Sequence, residues 1–184
     1  VALANMMNVF CGEPTKKLKF IGVTGTNGKT TITYLLKSIL EEAGMSIGII
    51  GTNQNVIGDK VLVTQSTTPT TPNSLELQQL FTEMVEGKAD CVIMEVSSHA
   101  LDLDRVHGCN FDVGVFTNLT QDHLDFHETM ENYVLAKAEL FKKCNVGVLN
   151  VDDDAFDTLT KDCSCRVMSY STKKDADLRA SNIE

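Results

Sequence analysis

The segment of this sequence best suited to hold a polyphosphate is Gly25-Thr26-Asn27-Gly28-Lys29-Thr30-Thr31. Its two glycines let backbone N–H groups turn toward phosphate oxygens, and a helix starting directly behind them adds the positive end of its dipole. Lys29 is placed to neutralise a β/γ-phosphate region, and the Thr30 hydroxyl to ligate Mg²⁺. The strict pattern G-x-x-x-x-G-K-S/T asks for a glycine five residues before Gly28, where Val23 stands. A glycine-rich turn without a ligand is the competing reading. The flanks favour a phosphate loop, because an apolar run at 20–24 precedes it and a helical pattern follows it.

Four further places carry side chains that could do chemistry. Glu95 ends the apolar run 91–94, where an unpaired carboxylate is costly to bury; it either caps the next turn, meets a surface lysine, or holds a ligand at the carboxyl end of a strand. Asp122-His123 follows the run 113–116, again at a carboxyl edge. His127 lies four residues beyond His123, but H-L-D-F-H lacks the glutamate of a zinc-binding H-E-x-x-H, so His127, like His99 and His107, reads as a loop or packing residue. Lys137 is the outlier. Met130, Tyr133, Val134, Ala138 and Phe141 form an apolar stripe, and Lys137 falls on it at i+7 from Met130. Its amine either snorkels or pairs with a buried acid, or it is driven toward the neutral form by desolvation, and spacing alone leaves the two readings even. Ser97-Ser98 lacks a surrounding G-x-S-x-G and is no nucleophile motif.

These residues need strands that end together and helices that start there. Short apolar runs at 20–24, 47–50, 91–94, 113–116, 146–149 and 167–170 are mostly continuous, as strands covered on both faces are. Ile32, Leu35, Leu36, Ile39, Leu40 and Ala43 predict an amphipathic helix stopped by Gly44. Asn73 with Glu76 predicts a capping box before a second helix, and a third spans 130–143. Residues 2–10 read as the end of a helix, and 52–65, centred on Gly58-Asp59, as a hairpin. The fold class is α/β: a P-loop-type, mostly parallel sheet with helices on both faces and an inserted β-hairpin.

The 184 residues fit one domain, with 42% hydrophobic and 22% charged residues. A net charge of −9 argues against nucleic acid and anionic membrane as partners, so any polyphosphate must be held by a local cluster of N–H groups, lysine and metal. Six cysteines without C-x-x-C spacing read as reduced, structural thiols of a cytoplasmic protein. The chain shows no signal peptide or membrane-length apolar stretch, and its start at Val1 suggests a piece of a longer protein.

The loop T-G-T-N-G-K-T-T is similar to that of the muramyl ligases and of the related folylpolyglutamate synthetases, which usually carry Gly-Ser where this chain has Thr30-Thr31. Thr67-Thr68-Pro69-Thr70-Thr71-Pro72, Glu95-Val96-Ser97-Ser98-His99-Ala100-Leu101 and Thr117-Asn118-Leu119-Thr120-Gln121-Asp122-His123-Leu124-Asp125-Phe126-His127 resemble the MurE type of muramyl ligase, which adds the third residue of the peptidoglycan stem peptide. The resemblance implies a three-domain enzyme: 1–17 would be the tail of a UDP-binding domain with its linker, 18–184 the central ATP-binding domain, and the C-terminal domain would lie beyond. It implies ATP, a UDP-MurNAc-dipeptide and an amino acid as partners of a monomer, with an acyl-phosphate on the way to the amide. Residues 25–31 would bind ATP. Thr30 and Glu95 would hold one Mg²⁺, and His123 and Lys137, the latter as a carbamate, a second. Thr70, Thr71, Ser97 and Arg105 would grip the sugar nucleotide, and Lys29, Lys137 and His123 would be catalytic. A folylpolyglutamate-synthetase-like ligase or a P-loop switch module are the alternatives.

Overall fold

Side chains of residues 19–24 alternate between two apolar layers, which is why this run carries no polar face. Phe20 packs edge-on against Phe81 and Phe111, with ring centroids 4.9 and 6.1 Å away, while Val23 joins Ile47, Ile49 and Ile93 on the opposite side. A strand covered twice belongs inside a helix-flanked parallel sheet. The computed structural model, which describes residues 1–63 and 68–182, has that architecture.

After a helix α1 (Ala2–Phe10), the chain alternates β1 (Lys19–Thr24), α2 (Lys29–Glu42), β2 (Ile47–Ile50), β3 (Asn55–Ile57), β4 (Lys60–Leu62), α3 (Ser74–Glu86), β5 (Cys91–Glu95), α4 (Ser98–Asp102) and β6 (Phe111–Phe116). It continues through α5 (Leu124–His127), α6 (Met130–Ala138), β7 (Cys144–Asn150), α7 (Phe156–Lys161), β8 (Arg166–Ser171) and β9 (Leu178–Arg179). Among the described residues one nine-stranded sheet runs β4-β3-β2-β5-β1-β6-β7-β8-β9, antiparallel only where β3 and β4 add their hairpin to β2. β1 has β5 on one side and β6 on the other, so the chain reverses its direction of travel at the carboxyl end of β1. Open α/β sheets bind ligands at such a switch.

The six predicted runs all became strands, and the Gly58-Asp59 turn joins β3 to β4 as expected. The predicted hairpin limit at Gln65, and Thr67 of the Thr/Pro segment, lie outside the described residues. Asn73 caps α3 by accepting from the N–H groups of Leu75 and Glu76 at 3.0 and 3.1 Å. Glu76 answers to the Asn73 side-chain amide at 2.9 Å instead of to its backbone. On α2 the covered face is narrower than the pattern: Ile32, Leu36 and Leu40 pack on the sheet, while Leu35 and Ile39 are 54% and 64% exposed. The helix expected over 130–143 stops at Ala138. Leu140 and Phe141 then bond back three residues, to Lys137 and Ala138, and drop onto the glycine pair Gly22/Gly114, where any Cβ would press on them. Helices α4, α5 and α7 and strand β9 escaped the sequence reading because four to six residues, or two, are too few to display a period. All six cysteines are free. None of the helices in the described residues is long and apolar enough to cross a membrane.

Candidate functional site

Val23 is fully buried inside β1, so the strand occupies the place where a longer phosphate loop would begin, and the turn starts at Gly25. Gly25 and Gly28 have φ of 143° and 84°, backbone states that favour glycine. Gly28 is the N-cap of α2 and makes no side-chain cap, so the first N–H groups of α2, which have no partner within a helix, stay open toward an anion. Lys29, the first helical residue, folds back and donates to the carbonyls of Gly25 and Thr26, both at 3.0 Å. Burial lowers its pKa, against the pull of the Glu95 and Asp122 charges.

The segment after β6 clamps this loop. Asn118 accepts from Thr26 N–H through its carbonyl at 2.8 Å and from Asn27 N–H through its side chain at 3.1 Å; the Thr117 hydroxyl donates to the Asn27 carbonyl at 2.7 Å. A Cβ on Gly25 would run into the Thr117 hydroxyl, whereas one on Gly28 would meet nothing within 4 Å. Gly25→Ala is therefore expected to destabilise the fold by about 3 kcal/mol, strain and clash together, and Gly28→Ala by about 1 kcal/mol from the backbone alone. Thermal melts of the two variants check the order; equal shifts would contradict the clamp.

Opposite Lys29, Glu95 is 1% exposed yet fully engaged. Its Oε1 accepts from the Thr30 hydroxyl at 2.9 Å and from Thr52 N–H at 3.2 Å, and its Oε2 from the Thr52 hydroxyl at 2.9 Å. Gly51 leaves room for this, since a Cβ there would strike the carboxylate. Thr30 and Glu95 thus present hard oxygens side by side at the start of α2, a donor set suited to Mg²⁺, a cation that prefers oxygen ligands and retains waters.

From the other face of the sheet α6 brings a second amine. Lys137 is 1% exposed, donates to the Gly25 carbonyl at 3.2 Å and stands 4.4 Å from the centre of the Tyr133 ring. Its pKa is pushed down to about 7, mainly by burial and secondly by the charge of Lys29, with Asp122 opposing. Lys29 and Lys137 thus converge on one carbonyl oxygen. One turn earlier the Tyr133 hydroxyl lies 3.2 Å from the Thr26 hydroxyl, which also accepts from Thr120 N–H at 3.0 Å.

His123 caps α5 with φ 52° and a half-exposed side chain, its ring 6.1 Å from that of Tyr133. Its Nδ1 is 3.6 Å from Asp122 Oδ1, longer than a hydrogen bond. His99 stacks on Phe126 at 4.2 Å, and buried His127 meets the Ser98 hydroxyl at 2.8 Å; burial lowers the pKa of both imidazoles. Among the described residues no group of three or more His, Cys, Asp or Glu is arranged to hold a metal ion.

The structure gathers Thr70, Thr71, Ser97 and Arg105 around one turn. Thr71 is buried, its hydroxyl donating to the Glu95 carbonyl at 2.8 Å and accepting from Ser97 N–H at 3.0 Å, so it fastens the Thr/Pro turn to β5 and presents no surface to a ligand. Ser97 caps α4 through Ala100 N–H, and Arg105 donates to the Thr71 carbonyl at 3.2 Å. Thr70, at φ 68°, lies on a cleft of about 510 Å³ that Thr52, Asn53 and Pro69 also line. Sequence reasoning missed Thr52, Thr117, Asn118 and Tyr133 as members of the site. For Tyr133 a signal existed, its place one turn before Lys137 on the same stripe.

Residues 23–184 match the model of the Mur ligase middle domain. The chain is 51% identical, over 99% of its length, to a UDP-N-acetylmuramoyl-L-alanyl-D-glutamate--2,6-diaminopimelate ligase of Clostridium tetani, and 48% identical to the ligase of that name from Caldanaerobacter subterraneus. It spans 37% and 38% of those relatives' lengths. A solved structure of a ligase with the same name superimposes on 88% of this chain, and 34% of its own, with a TM-score of 0.77 at 34% identity. A Mycobacterium tuberculosis folylpolyglutamate synthase, solved with ADP and AMPPCP, shares the fold over 93% of this chain and 48% of its own, with a TM-score of 0.74 at 14% identity.

Proposed function

The chain belongs to the Mur ligase family, as middle-domain sequence, and from that premise we propose that the full-length protein is a cytoplasmic, ATP-dependent ligase that adds a diamino acid to UDP-MurNAc-L-Ala-D-Glu. The names of its relatives point to 2,6-diaminopimelate as that amino acid. The γ-phosphoryl group of ATP passes in line to the free carboxylate of the dipeptide. The amine attacks the resulting acyl-phosphate, and the tetrahedral intermediate collapses to amide and phosphate.

Each residue of the site has a part in this reading. The open N–H groups at the start of α2 seat the phosphates, and Lys29 leaves its two loop carbonyls to stabilise charge on the transferring group. Thr30 and Glu95 would hold one Mg²⁺, and His123 with the modified Lys137 a second. When bound, these ions offset the repulsion between phosphate and the attacking carboxylate. Lys137 gains its acid group when the neutral Nζ adds to the carbon of CO₂: a C–N bond forms, one C=O pair moves to oxygen, and a proton leaves to solvent. Near-complete burial and a pKa near 7 favour that neutral amine. Thr70, Ser97 and Arg105 face the sugar-nucleotide end, Arg105 as the planar fork suited to phosphate, and Thr71 supports them from behind.

The observation that supports the reading most is the meeting of Lys29 and Lys137 on the Gly25 carbonyl at the sheet's switch point, with Thr30 and Glu95 alongside. A nucleotide switch has no use for a second buried amine there, and beyond the similar loop the Mycobacterium tuberculosis folylpolyglutamate synthase is only 14% identical, against 51% for the Clostridium tetani ligase. Residues 1–184 alone are expected to bind a Mg²⁺–ATP analogue weakly and to ligate nothing, since the amino-acid and uridine ends need further chain. Calorimetric titration and a ligation assay test this; absent binding would remove the loop assignment, and substantial turnover by 1–184 the division into domains.

A further inference from the structure

The Thr24 side chain is 0% exposed, and its hydroxyl is one of two buried side-chain polar atoms among the described residues that find no hydrogen-bond partner. A buried hydroxyl in that condition is worse than a methyl group of the same shape, so its presence at the end of β1 calls for a partner. Strand alternation puts Thr24 on the face of Phe20 and Gly22, and Leu140 lies over Gly22 on that face. Lys137, one turn before Leu140, reaches the Gly25 carbonyl. Thr24 therefore lies on β1 between Gly22, which Leu140 covers, and Gly25, whose carbonyl accepts from Lys137, and its hydroxyl is bonded to neither helix residue.

We propose that the Thr24 hydroxyl is a positioning hydrogen-bond donor to the carbamate on Lys137. This rests on the carbamate reading given above and assigns the residue that orients the group. Carbamylation lengthens the side chain by one carbon and two oxygens and adds acceptors where the amine had none, and the Thr24 hydroxyl, one residue before the carbonyl that Lys137 reaches, is a buried donor without a partner. The Gly25 carbonyl can accept from the remaining carbamate N–H but offers nothing to its oxygens. With one oxygen held by Thr24, the other is left to face the phosphate loop.

Carbon-13 NMR of the full-length protein equilibrated with labelled bicarbonate reads the carbamate directly, with Lys137→Ala as the blank. Thr24→Val is expected to raise the bicarbonate concentration for half-occupancy about tenfold, the effect of one lost hydrogen bond to an anion. Thr24→Ser should stay near wild type. Without bicarbonate, Thr24→Val should melt at or above the wild-type temperature, because it removes an idle hydroxyl. Unchanged carbamate affinity in Thr24→Val overturns the proposal, and so does a clearly lower melting temperature or failure to fold, which would reveal a structural partner. A wild type without any carbamate signal at saturating bicarbonate instead overturns the reading of Lys137 on which it stands.

Discussion

Lys29→Ala in the full-length protein is expected to lower ligation by about a thousandfold while leaving the domain folded. The size follows from what the ammonium would do in a site of low water content, where one preorganised charge on a transferring phosphoryl group contributes several kcal/mol to the transition state. The structural loss is small by comparison. Lys29 is half-buried, the Gly25 carbonyl keeps Lys137 as a donor and Thr26 is only partly buried, so about 1 kcal/mol and a few degrees of melting temperature are at stake. Lys29→Arg should not restore turnover, because a planar guanidinium cannot occupy a position shaped for a compact ammonium folded against Gly25 and Thr26. Steady-state turnover beside a thermal melt separates the two effects. Near-normal turnover in Lys29→Ala would contradict the phosphate-loop assignment.

What could be read from the sequence was whatever repeats or clusters locally. The loop is seven consecutive residues between a strand and a helix, and the apolar stripe that exposes Lys137 as an outlier lies within a single element. The clamp is of another kind. Thr117 and Asn118 reach Asn27 across 90 and 91 residues, and Thr52 reaches Glu95 across 43. Such pairs depend on which strands become neighbours, and periodicity within each strand is silent about that. Thr71 shows the converse. A threonine in a Thr/Pro turn looks available for a ligand, but the turn lies against β5 and its hydroxyl is taken by the backbone of Glu95 and Ser97. The end of α6 was misplaced for a related reason: the paired glycines that draw Leu140 and Phe141 out of the helix sit on β1 and β6, far away in sequence.

Lys137→Ala is expected to cost at least about a hundredfold in turnover, and added short carboxylic acids to return part of it by supplying oxygens where the carbamate was. The pH dependence distinguishes this from loss of packing. In the folded, metal-free protein Lys137 titrates near 7, against 10.5 for an ordinary lysine. Between those values the unfolded chain binds the extra proton and the folded one does not, so this residue makes stability rise with pH across the window, and its penalty is fully present below about pH 7. Replacing it by methionine, which fills the volume without a nitrogen, should therefore flatten that slope and raise the melting temperature most at pH 6. Carbamate formation follows the neutral amine, which falls to about a tenth of the sites one pH unit below the pKa. Bicarbonate dependence of turnover should accordingly steepen as the pH drops from 8 to 6, and vanish in Lys137→Ala rescued with acetate. A metal-loaded, bicarbonate-equilibrated structure with an ordered, unmodified amine would remove the carbamate, and wild-type rates in Lys137→Ala would remove the residue from catalysis.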